Sequence, residues 1–159
     1  MNENNLKKII NNIVGDAIVK EVMSLKLAVK LIETVEEKAA EMGLAVVVAV
    51  SDASGRPIAV HCMDGAYHGS FDVAVNKTYT STAFQMSTAK LSRLCQPGQD
   101  LYGLQFSNNG KVMILGGGEP LMVGKTMIGA LGVSGGSAQE DSDLAAYGAS
   151  ALKEVIKCL

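Results

Sequence analysis

Residues 44–63, LAVVVAVSDASGRPIAVHCM, predict a β-hairpin around which the rest of the chain can be arranged. Residues 44–50 are all apolar and mostly β-branched, which is typical of a strand buried on both faces. Residues 52–55, DASG, have turn chemistry, and residues 58–63 return as a second strand. The short connection makes the hairpin antiparallel. Pro57 lacks an N–H group, so we expect it at the start of the second strand or on a sheet edge.

Helical patterns lie on both sides of this hairpin. Ser24 is a good N-cap for a helix that ends at Gly43. Its predicted inward face consists of Leu25, Ala28, Val29, Ile32, Val35, Ala39 and Met42. Ser70 is the predicted cap of a helix that runs to about residue 86. The last helix follows Ser137, whose spacing to Glu140 fits a capping box.

The second half of the chain predicts further strands. Residues 111–115 favour a short strand and Gly116-Gly117-Gly118 a tight turn. Residues 121–123 and 126–133 favour a hairpin about Gly124-Lys125. Hairpins and long helices together indicate an α+β fold, in which helices pack on an antiparallel sheet of about five strands.

Residues 1–22 precede this domain, which we assign to residues 23–159. An apolar residue recurs at the spacing of one helical face, at Leu6, Ile9, Ile10, Ile13, Val14, Ala17 and Ile18. This pattern predicts an amphipathic helix, which Gly15 weakens, so the helix needs a partner surface. Two interpretations stay open. The helix is a targeting or docking peptide, or it packs on its own domain or a neighbouring subunit.

Composition excludes several functional classes. The net charge is −2 and no cluster of Lys and Arg occurs, which argues against nucleic-acid binding. No apolar run is long enough to cross a membrane, and the N-terminus lacks the pattern of a secretory signal. The three cysteines form no CxxC pair, so a reducing, cytoplasmic location is expected. Charged residues are only 19% of the chain, which favours burial of surface in a homo-oligomer.

The two histidines, His61 and His68, are candidate metal ligands. By strand alternation His61 shares a face with Met63, and imidazole and thioether groups together suit a tetrapyrrole metal. The alternative is that His61 is a half-buried strand residue and His68 a loop residue. Asp52, Asp64 and Lys77 lie near apolar elements, where they either line a pocket or satisfy backbone groups.

Two groups of glycines form candidate anion sites. Gly116, Gly117 and Gly118, and then Gly135 and Gly136, can turn successive backbone N–H groups toward a carboxylate such as a heme propionate. The alternative is that both groups are only tight turns. No nucleophile, base and acid occur in a recognisable arrangement, so no catalytic residue is predicted.

Several segments together resemble one family, the GlcG/HbpS family, which includes the C-terminal domain of PduO proteins. The matching motifs are VAVSDASGR at 48–56, MDGA at 63–66, NKTYT at 76–80, QPG at 96–98, YGL at 102–104, GGGEPL at 116–121 and GALGVSGG at 129–136, followed by Asp141. This resemblance implies a profilin-like fold, self-assembly, and binding of heme or a cobalamin-type corrinoid. It also implies a link to bacterial microcompartments for diol or alcohol breakdown, whose shell the N-terminal helix would contact.

The sequence departs from the family at two points. Thr78 replaces the usual Ala after the helix lysine, and no histidine lies between Ser24 and Met42, where some members have a proposed axial ligand. His61 is therefore the leading candidate axial ligand, followed by His68 and then Met63. The competing functions are a small-metabolite enzyme, or an accessory to one, in the same pathway, and a structural oligomer subunit without ligand.

Overall fold

A computed structural model of the protein describes Asn5 and residues 22–159. The predicted N-terminal helix falls largely outside these residues. The described chain contains the following helices and strands in order: α1 Leu25–Glu41, β1 Val47–Asp52, β2 Pro57–Cys62, α2 Ser70–Phe84, α3 Thr88–Leu94, β3 Gly118–Val123, β4 Thr126–Ser134 and α4 Ala138–Lys157. Two short 3₁₀ helices, Leu104–Phe106 and Asn108–Gly110, lie between α3 and β3.

The four strands form one antiparallel sheet in the order β2-β1-β4-β3. The α+β fold predicted from the sequence is confirmed, as are both hairpins. Pro57 begins the edge strand β2, where its missing N–H group leaves no gap in the middle of the sheet. The described residues hold four strands rather than about five.

The predicted strand at residues 111–115 is wrong. This segment pairs with no strand of the described chain. Its backbone bonds instead to a side chain of α2, since the Met113 N–H donates to Thr80 Oγ1 over 2.8 Å. The proton of the same hydroxyl goes to the carbonyl oxygen of Asn76, one turn back in α2, at 2.7 Å. A threonine on the neighbouring helix thus satisfies a backbone N–H group that a strand partner would otherwise have paired.

Helices cover both faces of the sheet. α1 and α4 pack together on one face, where Val48, Val50 and Leu131 belong to the main core. α2 packs on the other face, where Val47 and Ala49 meet Ala74. Burial of alternate β1 side chains on opposite faces explains why this strand is apolar without interruption.

The helix ends largely follow the predicted caps. Ser24 accepts a hydrogen bond from the Leu27 N–H, and Ser137 and Glu140 form the predicted capping box. The predictions that Leu25 and Met42 face inward are wrong. Both are exposed: Leu25 lies on the outer side of α1, between the buried Met23 and Leu27, and Met42 lies just past the helix end.

The predicted N-cap at Ser70 is also wrong, since the cap position is Gly69, which makes no side-chain bond there. Ser70 is the first residue of α2, and its hydroxyl lies 3.2 Å from the hydroxyl of Ser134 at the end of β4. A contact between elements thus replaces the expected local cap.

Candidate functional site

A buried ion pair lies where β4 ends. Lys77 Nζ, on α2, is 2.7 Å from Asp141 Oδ2, on the first turn of α4. The side chains are 1% and 5% exposed, so neither charge is accessible to a ligand from solvent. Burial lowers the pKa of Lys77 below its usual range, although the Asp141 carboxylate opposes this effect.

Backbone groups complete this ion pair. Lys77 Nζ also donates to the carbonyl oxygen of Val133 at 2.7 Å. The second carboxylate oxygen of Asp141 accepts the Gly136 N–H at 2.9 Å. The pair therefore ties α2, β4 and α4 together at one point, as expected of a buried charge that is fully hydrogen-bonded.

The glycine triplet is packed directly against this pair. A Cβ atom on Gly117 would lie 2.7 Å from Asp141 Cβ and 2.8 Å from Lys77 Nζ. One on Gly116 would overlap the Ser142 hydroxyl. The Gly118 N–H donates to Thr88 Oγ1 at 2.9 Å. These glycines allow close approach of the backbone to other parts of the protein, as expected where no side chain fits.

The second glycine pair is similarly occupied by the protein itself. The Gly136 N–H is bound by Asp141, and the Ser137 N–H donates to Glu140 Oε2 at 2.7 Å. Gly136, a position predicted to receive a ligand carboxylate, therefore already binds a carboxylate of the chain itself, as does its neighbour Ser137. One cluster around Asp141 contains Lys77, the glycine triplet and the second glycine pair, Gly135 and Gly136. We call this cluster the buried junction.

His61 lies outside the buried junction, on the edge strand β2. Its Nδ1 atom lies 3.2 and 3.3 Å from the two carboxylate oxygens of Glu36, on α1. The two side chains are 36% and 25% exposed. No hydrogen bond within the described residues uses His61 Nε2. A carboxylate that accepts from Nδ1–H fixes the tautomer in which Nε2 carries a free lone pair.

Met63 lies close to His61 in the chain. Ala59 and Met63 pack against the main core and Val60 against the α2 side, as alternation predicts, but Ile58 also packs against the main core, where alternation does not place it. Val48 of β1 pairs with His61 on one side and with Val133 of β4 on the other. The backbones of His61 and of Val133, which the buried junction binds, therefore lie at the same level of the sheet, about 10 Å apart across two strand spacings.

The remaining predicted residues lie at the end of β1 and in the exposed segment that follows β2. Asp52 Oδ1 accepts bonds from the Ser54 and Arg56 N–H groups, at 2.9 and 3.0 Å. Burial alone would raise the pKa of Asp52, but these bonds and that of the Ser54 hydroxyl lower it below its usual value. Asp64 and His68 are exposed in the segment between β2 and α2.

Sequence reasoning missed the roles of Asp141 and Glu36. Asp141 enters the sequence analysis only as the residue that follows the last family motif, and its position five residues after Gly136 is the signal that points to its role. No local pattern links Glu36 to a histidine 25 positions away. Among the described residues no group of three His, Cys, Asp or Glu side chains could hold a bare metal ion. No described helix is long and apolar enough to cross a membrane.

The fold and site define an α+β domain in which helices flank a four-stranded antiparallel sheet and an available imidazole lies at its edge. Residues 23–150 match the family model described as haem degrading protein HbpS-like. The chain belongs to this HbpS-like family, which confirms the resemblance found in the sequence.

Three similar proteins illustrate the relationship. An uncharacterized 15.0 kDa protein of the dhaT-dhaS intergenic region of Citrobacter freundii is 39% identical, over 77% of this chain and 87% of that protein. The corrinoid adenosyltransferase PduO of Salmonella typhimurium is 39% identical over 69% of this chain, and the match spans only 32% of PduO. The structure of a PduOC–heme complex superposes with a TM-score of 0.78 at 35% identity, covering 82% of this chain and 94% of that one.

Proposed function

We propose that this protein binds a tetrapyrrole, with heme as the first candidate, and that His61 supplies the axial ligand. The His61–Glu36 pair carries the proposal. It presents an imidazole Nε2 toward solvent while a carboxylate holds Nδ1, at distances of 3.2 and 3.3 Å. Histidines that ligate metals usually donate their other N–H to a carboxylate or carbonyl, which orients the ring and strengthens the ligand.

The chain's residues fit a heme as a single-ligand site. His61 is on a strand, and strands hold ligand geometry better than loops do. Met63 is packed against the core, so it contributes apolar contact.

The relatives support heme before a corrinoid. A similar domain has been solved with heme bound, as its description states, at 35% identity to this chain. The corrinoid alternative is favoured by the name of the PduO relatives, but the match covers only about a third of those proteins. We carry over no adenosyltransferase activity. The same relatives are the basis for proposing a role in a microcompartment pathway for diols or alcohols.

Absorption spectroscopy of the purified full-length chain tests the ligand. Titration with hemin should produce a Soret band that saturates at one heme per binding site, whereas titration with a cobalamin should leave the corrinoid spectrum unchanged. Spectral change with cobalamin alone would favour the corrinoid alternative. A chain that alters neither spectrum would contradict tetrapyrrole binding and leave the enzyme and structural-subunit functions to be tested.

We also propose that the chain self-associates. Tyr67, Phe71, Tyr102, Phe106 and Leu115 are large apolar side chains that the described structure leaves exposed. Such exposure is typical of surfaces that contact another protein or a ligand. Light scattering at micromolar concentration should give a mass that is a multiple of 16.6 kDa. A monomer mass would contradict the proposal.

A further inference from the structure

An apolar cleft lies on the outer surface of α1. It has a volume of about 550 Å³ and is lined by Leu25, Lys26, Val29, Lys30, Glu33 and Leu159. Leu25 is 62% exposed, although it belongs to the first turn of a helix whose other face is fully buried. Val22, where the continuous described chain begins, is also exposed. Only Met23 and Ser24 separate Val22 from Leu25, which lines one end of the α1 cleft.

We infer that the α1 cleft is the docking site for residues 6–18 of the same chain. This segment lies outside the described residues, and its sequence carries an apolar helical face that needs a partner surface. A helix of this length without such a surface is only marginally stable in water.

The length of the connection agrees with this docking. Residues 19–24 would join the segment to α1, and connections of about 2–8 residues usually link antiparallel neighbouring helices. In such a helical hairpin Ile18 lies beside Leu25. Ile13 and Val14 then lie at the level of Val29, in the middle of the cleft.

Charge order agrees with the same antiparallel direction. The cleft carries Lys26 and Lys30 near the connection and Glu33 farther along α1; Lys30 also pairs with Glu33 at 3.1 Å, and Lys26 donates to the Leu159 carbonyl oxygen at 3.2 Å. The segment has the opposite order, with Asp16 near the connection and Lys7 and Lys8 at its far end. Antiparallel packing therefore brings unlike charges together along the length of both helices.

A double-mutant cycle in the full-length chain tests this contact. Ile13→Ser and Val29→Ser remove apolar side chains from the two proposed partners, and chemical denaturation gives the unfolding equilibrium constant of each variant. We expect each substitution alone to raise the unfolding equilibrium constant about fivefold or more. In the double variant the increase should be at least about threefold smaller than the product of the two single increases. Leu25→Ser is a second cleft variant, which should couple to Ile18→Ser in the same way.

The control cycle pairs Asn12→Ser, on the polar side of the segment, with Val29→Ser. The increases in the unfolding equilibrium constant caused by Asn12→Ser and Val29→Ser should simply multiply in the double variant. Independent effects of Ile13→Ser and Val29→Ser would overturn the inference, as would an Ile13→Ser variant with unchanged stability, which is expected of a free targeting peptide. Coupling that weakens as the protein is diluted would also overturn it, because the occupant would then be the segment of a second copy.

Discussion

Two hydrogen-bonded side-chain pairs at one level of the sheet differ in nearly every property that governs function. Lys77 and Asp141 are almost completely buried, 2.7 Å apart, and bound further by Val133 and Gly136. His61 and Glu36 are partly exposed, and the imidazole retains a nitrogen that no described residue binds. The comparison teaches that the more tightly bound pair stabilises the fold, whereas the more open pair is available to a ligand.

This difference follows from what the charges lose and gain on burial. A buried ammonium group is tolerated only when carboxylate and carbonyl oxygens replace its water, as they do around Lys77. A half-exposed imidazole keeps much of its hydration and can exchange water for a metal at little cost. The two pairs should therefore respond to mutation in opposite ways.

Loss of the Lys77 ammonium should have the largest effect on stability. Lys77→Met leaves the Asp141 carboxylate buried without its cation, and breaking such a pair costs about 3–5 kcal/mol of unfolding free energy. Denaturant titration measures the loss. The double variant Lys77→Met, Asp141→Leu should recover part of it, since the unpaired charge is gone. If Lys77→Met is as stable as the unmodified protein, the buried junction does not anchor the fold.

A methyl group at Gly117 should have the next largest effect. Gly117 has φ +111°, and its Cβ would lie within 3 Å of Asp141, Val133 and Lys77. Strain and overpacking together suggest a loss of about 2–4 kcal/mol for Gly117→Ala. Gly124→Ala is the matched control, because Gly124 also has positive φ, +61°, but no atom within 4 Å. Equal losses of stability at both positions would show that backbone strain alone destabilises the variants. The buried junction would then accommodate the added methyl group without cost.

The smallest effect should come from Glu119, a partly buried carboxyl group on β3 that forms no hydrogen bond within the described residues. Burial raises the pKa of Glu119 above its ordinary value of 4.5. An acid with a raised folded-state pKa stabilises the fold at low pH, and this stabilisation is lost as pH rises through that pKa. Glu119→Gln should therefore gain stability relative to the unmodified protein as pH increases above 4.5. A difference that is constant with pH would contradict this assignment.

The sequence predicted the hairpins and the caps at Ser24 and Ser137 because these depend on local chemistry. The apolar run before Ser51, the turn at residues 52–55 and the spacing of Ser137 to Glu140 each act over a few residues. The extra strand at 111–115 was predicted for the same reason. Its backbone instead bonds to Thr80, 33 residues away from Met113, and no local pattern encodes such a contact.

The site was predictable only in part. Histidine, lysine and glycine were singled out by type, but their partners are distant in the chain. Lys77 meets Asp141 across 64 positions and His61 meets Glu36 across 25. Without those partners the sequence could not show that Lys77 and the glycines belong to one buried junction while His61 stands apart. The assignment of ligand-binding residues stays a prediction.

The central claim is that Lys77 and Asp141 stabilise the fold, whereas His61 and Glu36 bind the ligand. The most direct test is His61→Ala, with hemin affinity and unfolding free energy measured on the same sample. His68→Ala is the matched control. The account predicts that His61→Ala weakens hemin binding by about tenfold or more and shifts the Soret band, while stability changes by less than about 1 kcal/mol, as expected for a partly exposed pair. An unchanged Soret position and affinity in His61→Ala would contradict the account.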